Sequence, residues 1–173
     1  MSAELYAWLI GGITVGVAIA GGPAATGDAP RRWPSVVGLG GLIAALLLVG
    51  VVSGTVVRHL VQLAPAMMAL ALVALHSPFG RAAALPILPF WLALMLTIWR
   101  YLLGYTQSIG GHFTTAEIVL TMAIALVCVF GLAGGARPTA NLPRLHRAVT
   151  AIVFGALQLG ALWLSMQPFA FMR

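Results

Sequence analysis

The chain has 173 residues, of which 61% are hydrophobic and only 7% charged. A water-soluble domain carries about 25% charged residues, so a fold bathed in water on all sides is excluded. Lipid accepts apolar side chains on every face, and one compact membrane domain spanning residues 1–173 is the expected organisation. The formal net charge is +6, from nine basic and three acidic residues, and every basic residue is arginine. A basic balance of this size can mark a nucleic-acid binder. Here the arginines stand singly or in pairs at the ends of apolar runs, which is the pattern of membrane-edge charges, so no nucleic-acid partner is expected.

A spanning helix needs about 20 mostly apolar residues, and the chain offers six such stretches, predicting an all-α polytopic bundle. The first runs from about Leu5 to Gly22. It is preceded by Glu4 rather than by the positive residues that open a signal peptide, so it is expected as a retained span. Gly22-Pro23 and Asp28-Ala29-Pro30 break the chain before the second, about Ser35 to Val52, which Trp33-Pro34 opens. Proline at a helix start loses no hydrogen bond. The third ends near Leu75, before Ser77-Pro78-Phe79-Gly80, and begins at either Thr55 or Leu60, depending on whether Ser53-Gly54 or Arg58-His59 forms the turn. The fourth covers about Ala83 to Leu103, the fifth about Phe113 to Ala133, and the sixth about Ala148 to Phe169.

Small residues at four-residue spacing (Gly12, Gly16 and Ala20; Gly50 and Gly54; Ala151 and Gly155) let helix backbones approach closely in lipid. They are expected to pack inside the bundle. The single cysteine, Cys128, has no second thiol for a disulfide or a metal site and is expected as a small packing residue.

Arginine in the connections marks the cytoplasmic side. With six spans, the first, third and fifth links hold Arg31, Arg32, Arg81, Arg137, Arg144 and Arg147, against Arg58, Arg100 and Arg173 on the other side. The expectation is a multi-pass inner-membrane protein with both termini outside. Tyr6, Trp8, Trp99, Tyr101 and Tyr105 would then lie near the outer interface and Trp33 near the inner one.

The same outer side collects most of the unusual polar residues. Arg58, His59 and Gln62 share a helical face by their spacing. Arg100 lies about one turn inside the end of the fourth span, and Gln107 and His112 lie in or beside the following link. Glu117 is the one acidic residue placed inside a predicted span, more than one turn in. An ionisable group at that depth usually faces the bundle interior with a partner. Thr114, Glu117, Thr121 and Cys128 fall on one face, with Ile118, Leu120, Met122, Ala125 and Val129 opposite. Glu117 is therefore expected to face inward within reach of Arg58, Arg100 or His112. Glu117, Arg100, Arg58, His59, Gln62 and His112 together form a candidate ligand site, positive overall, suited to a small polar or anionic molecule, an ion or a lipid headgroup.

Three function classes fit this pattern. The first is a non-catalytic subunit or small carrier, partnered by the bilayer, its ligand and other membrane subunits. The second is a redox subunit binding haem b, because His59 and His112 fall on the outer side and His76 and His146 on the inner, and each haem iron takes two facing imidazoles. The third is a membrane enzyme using His59 or His112 with Glu117 as acid and base. Met67, Met68, Met95 and Met122 offer thioethers to Cu(I), but in no clustered motif, and methionine commonly fills apolar cores. Phosphate loops, HExxH, GxSxG and CxxC are absent from the sequence. The first class is preferred because few polar groups remain for chemistry once the arginines are assigned to topology.

Overall fold

The computed structural model describes residues 32–107, 113–135 and 142–167. They form five α-helices: α1 (Trp33–Val52), α2 (Val56–Ala74), α3 (Gly80–Leu102), α4 (Thr115–Gly135) and α5 (Arg144–Ser165). Each is long and apolar enough to cross a membrane. The span expected at Leu5–Gly22 lies outside the described residues, so five spans rather than six are seen.

The connections follow from turn chemistry. Ser53-Gly54-Thr55 is the turn between α1 and α2, and Gly54 has φ +66°, a left-handed conformation that glycine adopts without strain. Ser53 Oγ donates to the Val49 carbonyl at 2.7 Å, helping to close α1. After α2, His76 turns the chain at φ 63°. Two helices start earlier than expected. α3 begins at Gly80, not near Ala83, which puts Arg81 in its first turn. α5 begins at Arg144, directly after Pro143, so Arg144, His146 and Arg147 are helical and not in a link. Pro78 and Pro143 stand in the connections just before these starts, where the missing proline N–H costs no helical hydrogen bond.

α3 lies at the centre and touches each of the other four helices. The most extensive pair is α1 with α4; α4 otherwise packs on α3, and α5 packs on α2 and α3. The α1–α4 seam depends on glycine. A Cβ at Gly38 would meet the Gly131 Cα at 2.7 Å, and one at Gly41 would meet Val127 Cγ1 at 2.8 Å. Gly80 is equally confined, with Val73 N 2.6 Å from an ideal Cβ. These seams differ from the expected small-residue stripes. Gly12, Gly16 and Ala20 lie outside the described residues, Gly54 is in a turn, and Ala151 and Gly155 are buried as expected.

The core joins Leu39, Leu42 and Leu46 of α1, Leu63 and Ala66 of α2, Ile87, Leu88 and Trp91 of α3, and Ile124 and Cys128 of α4. From Gly80 to Trp91 every residue of α3 is buried except half-buried Pro89. The outer surfaces are apolar: Leu126 is 69% exposed and Val129 50%. That inversion suits lipid as the surrounding solvent. Three prolines lie inside helices, Pro65 in α2 and Pro86 and Pro89 in α3. Each lacks the N–H that would bond the carbonyl four residues back, leaving Val61, Ala82 and Leu85 without that partner.

Candidate functional site

α1, α3 and α5 begin at one face of the bundle, which carries Arg32, Arg81, Arg144 and Arg147. The opposite face receives the starts of α2 and α4, and there lie the residues expected to form a site. Arg58 and His59 occupy the first turn of α2, both half-buried. His59 packs against Gly50, where a Cβ would come within 3.2 Å of the His59 Cβ. Its Nδ1 lies 3.0 Å from the Thr55 carbonyl and 3.1 Å from Thr55 Oγ1. A carbonyl only accepts, so this contact assigns the proton to Nδ1 and leaves Nε2 as the acceptor of the neutral ring. His59 is therefore tied to the Thr55 carbonyl through one nitrogen and keeps the other for a partner.

Glu117 and Arg100 are placed differently from the expectation. α4 begins at Thr115, so Glu117 stands in its first turn rather than more than one turn in. Its Oε2 accepts from the Thr114 backbone N–H at 2.8 Å and from Thr114 Oγ1 at 2.9 Å, and Thr114 Oγ1 accepts from the Glu117 N–H at 3.3 Å. This is a reciprocal capping box, and a carboxylate there also meets the positive end of the helix dipole. Glu117 makes no ion pair among the described residues. Arg100 is exposed in the last turn of α3, where a cation complements the helix's negative end. His112 lies outside the described residues. The expected inward carboxylate–arginine pair is thus replaced by two helix-end charges.

The faces expected of α4 hold in part. Thr121 and Cys128 are buried, and Met122 and Val129 are exposed. Ala125, on the opposite face suited to lipid or core, is buried. Thr121 Oγ1 accepts from Trp99 Nε1 at 2.9 Å and donates to the Ile118 carbonyl at 2.7 Å, so Trp99 clips α3 to α4.

Gln62 turns inward, only 5% exposed, and meets two residues that the sequence reading had not singled out. Its Nε2 donates to Ser165 Oγ at 2.8 Å, and its backbone carbonyl accepts from Gln158 Nε2 at 3.2 Å. Ser165 Oγ in turn donates to the Leu162 carbonyl at 2.7 Å. Three polar side chains thus join α2 to α5 inside an apolar bundle. The network is incomplete, because buried Gln158 Oε1 has no hydrogen-bond partner, and neither has buried Trp91 Nε1 on α3. Leaving such a group unmet costs about 1–3 kcal/mol. Ala151, Gly155, Gln158 and Ser165 are all buried, and their spacing of four, three and seven was the available signal. A polar residue on a small-residue stripe faces a neighbouring helix.

The histidines and methionines are dispersed. His76 is exposed with Nδ1 2.7 Å from the Ala74 carbonyl, and His146 is exposed at the start of α5. Met67, Met68 and Met122 face outward, whereas Met95 is in the core. No group of three or more His, Cys, Asp or Glu residues that could hold a metal occurs among the described residues. Arg81 is the one buried charged side chain among them, 4% exposed, at the arginine-rich end.

The geometry defines an all-helical bundle of membrane-spanning length with a polar seam between α2 and α5. No protein-family model, no curated protein and no solved structure matches this chain.

Proposed function

We propose that this is a six-span inner-membrane protein with both ends outside, acting as a non-catalytic subunit or small carrier. It binds a small polar solute, ion or lipid headgroup from the outer side. The single observation that supports this most is the buried Gln62–Gln158–Ser165 network, with its unmet carbonyl, directly beneath the half-buried Arg58 and His59. Apolar bundles place polar side chains inside where they serve packing or a passage, and a network built only for packing has no need of an open acceptor. Arg58 and His59 form the mouth, and Arg100 and Glu117 supply rim charges from the ends of α3 and α4. His112 belongs to the same face by sequence.

Cysteine labelling in intact cells tests the reading. In a Cys128→Ala background, Gln62→Cys should react with a membrane-impermeant maleimide added outside. Ala69→Cys, buried deeper on the same helix, should not. Absence of reaction at position 62 from outside, or reaction only in inverted vesicles, would overturn the outward-facing site. A cytoplasmic fluorescent reporter fused after Arg173 should remain dark; a bright fusion would reverse the orientation.

A further inference from the structure

Three helices contribute to one level of the bundle. Gly80 packs on Val73 where α2 turns into α3. Trp91 is eleven residues beyond Gly80, and Gln62 is eleven residues before Val73, so these antiparallel helices bring both to the same depth. Leu85 packs on Ala151 where α3 and α5 run in the same direction. Trp91 is six residues beyond Leu85 and Gln158 seven beyond Ala151, which again matches their depth to about one residue's rise of ~1.5 Å. The Gln158–Gln62 bond joins the remaining pair. α2, α3 and α5 all pack on one another, so Gln62, Trp91 and Gln158 lie in one layer by depth, on three mutually packed helices.

The unmet groups of the layer are complementary. Trp91 Nε1 can only donate, and Gln158 Oε1 can only accept. Both residues are nine-tenths or more buried, at 2% and 1% exposure. The layer itself holds no ionisable side chain; Arg58 is one turn away towards the helix start. A charged molecule at this depth would meet no counter-charge, and burial of an unpaired charge is strongly disfavoured. A molecule offering both an acceptor and a donor would satisfy both groups without introducing charge.

We propose that the Gln62–Trp91–Gln158 layer binds a small uncharged solute that carries a hydrogen-bond acceptor and donor side by side, as primary amides, ureas and alcohols do. This rests on the outward-facing site above and narrows its ligand class. The solute carbonyl or hydroxyl oxygen accepts from Trp91 Nε1, and its N–H or O–H donates to Gln158 Oε1. Gln62 holds the Gln158 amide in orientation through its backbone carbonyl.

Acrylamide, a neutral primary amide that quenches indole fluorescence on contact, is the probe. The Trp91 signal is isolated as wild type minus Trp91→Phe, in detergent-purified full-length protein. Acrylamide should quench this component along a saturating curve, and acetamide should relieve the quenching at least twofold. Iodide and caesium should leave it unchanged, and Gln158→Met should remove the saturating phase while helical circular dichroism is retained. A Trp91 component untouched by acrylamide overturns the proposal. So does non-saturating quenching indifferent to acetamide, which indicates random penetration, or no response to any solute, which leaves water as the occupant. The acetamide competition needs only wild-type protein as the competed species, so it decides the matter even if Gln158→Met fails to fold. Successful labelling at position 62 with no acrylamide effect removes the ligand class alone; failure of that labelling removes the outward-facing site itself.

Discussion

Replacing Gly38 by alanine adds one methyl group at the tightest point of the α1–α4 seam. An ideal Cβ there lies 2.7 Å from the Gly131 Cα and 3.2 Å from the Val127 carbonyl oxygen. Carbon atoms rest about 3.5–4.0 Å apart, so the helices must separate by roughly 1 Å at that level. Both obstructing atoms are backbone, so no side-chain rotation relieves the contact. Overpacking of this kind costs about 1–3 kcal/mol, set against a helix-propensity gain of ~0.5–1 kcal/mol for removing a glycine. Gly40, two residues on, has nothing within 4 Å of its ideal Cβ. There only the gain applies. Gly38→Ala should therefore be less stable than Gly40→Ala by about 2 kcal/mol, equivalent to roughly 4–8 °C in Tm for a chain of this size. Differential scanning fluorimetry of both variants in one detergent measures it. Equal melting temperatures would refute the claim that α1 and α4 meet through backbone at Gly38.

Further outcomes follow from the hydrogen bonds. Glu117→Gln and Thr114→Ala should each destabilise by about 1 kcal/mol or less, in thermal denaturation, because the pair caps α4. A loss of several kcal/mol for Glu117→Gln would restore the buried ion pair expected from sequence. A double-mutant cycle of Trp99→Phe with Thr121→Val should give a coupling near 0.6 kcal/mol, typical of interhelical bonds in membranes, and zero coupling would remove the α3–α4 clip. Cys128, 0% exposed, should stay unmodified by maleimide in the folded protein and react once it is denatured in SDS; rapid native labelling would contradict its place in the core.

The helical class was legible because apolar runs of spanning length, punctuated by Gly and Pro, admit one interpretation. The Ser53-Gly54 turn was visible as one of two parses, and the left-handed glycine decided it. Burial of Thr121 and Cys128 followed from helical spacing alone. Glu117 misled because depth was measured from an assumed helix start. Thr114-x-x-Glu117 is itself a capping signature, and it moves the start to the residue that makes the carboxylate a cap. Gln158 and Ser165 were obscured for a different reason. A neutral amide and a hydroxyl carry no charge to draw the eye, and their importance arises from Gln62 arriving from a helix about a hundred residues earlier. The Gly38–Gly131 contact is equally non-local, and no pattern within α1 distinguishes Gly38 from the unconfined Gly40.

The central placement of α3 has a consequence for how the chain is assembled. In its first half this helix carries a buried arginine and two internal prolines that cannot donate a backbone N–H, features that an isolated span in lipid tolerates poorly. Two of the helices that enclose it, α4 and α5, are synthesised after it, and α5 is the last of those described. Each docks on α3 without packing extensively on the other. α3 must therefore wait in the membrane, incompletely covered, until both later helices have arrived. A ribosome stalled before Arg144 would leave an intermediate in which the α3 face covered by α5 is open to the bilayer. That interval is where quality-control proteases and insertion chaperones would meet this protein.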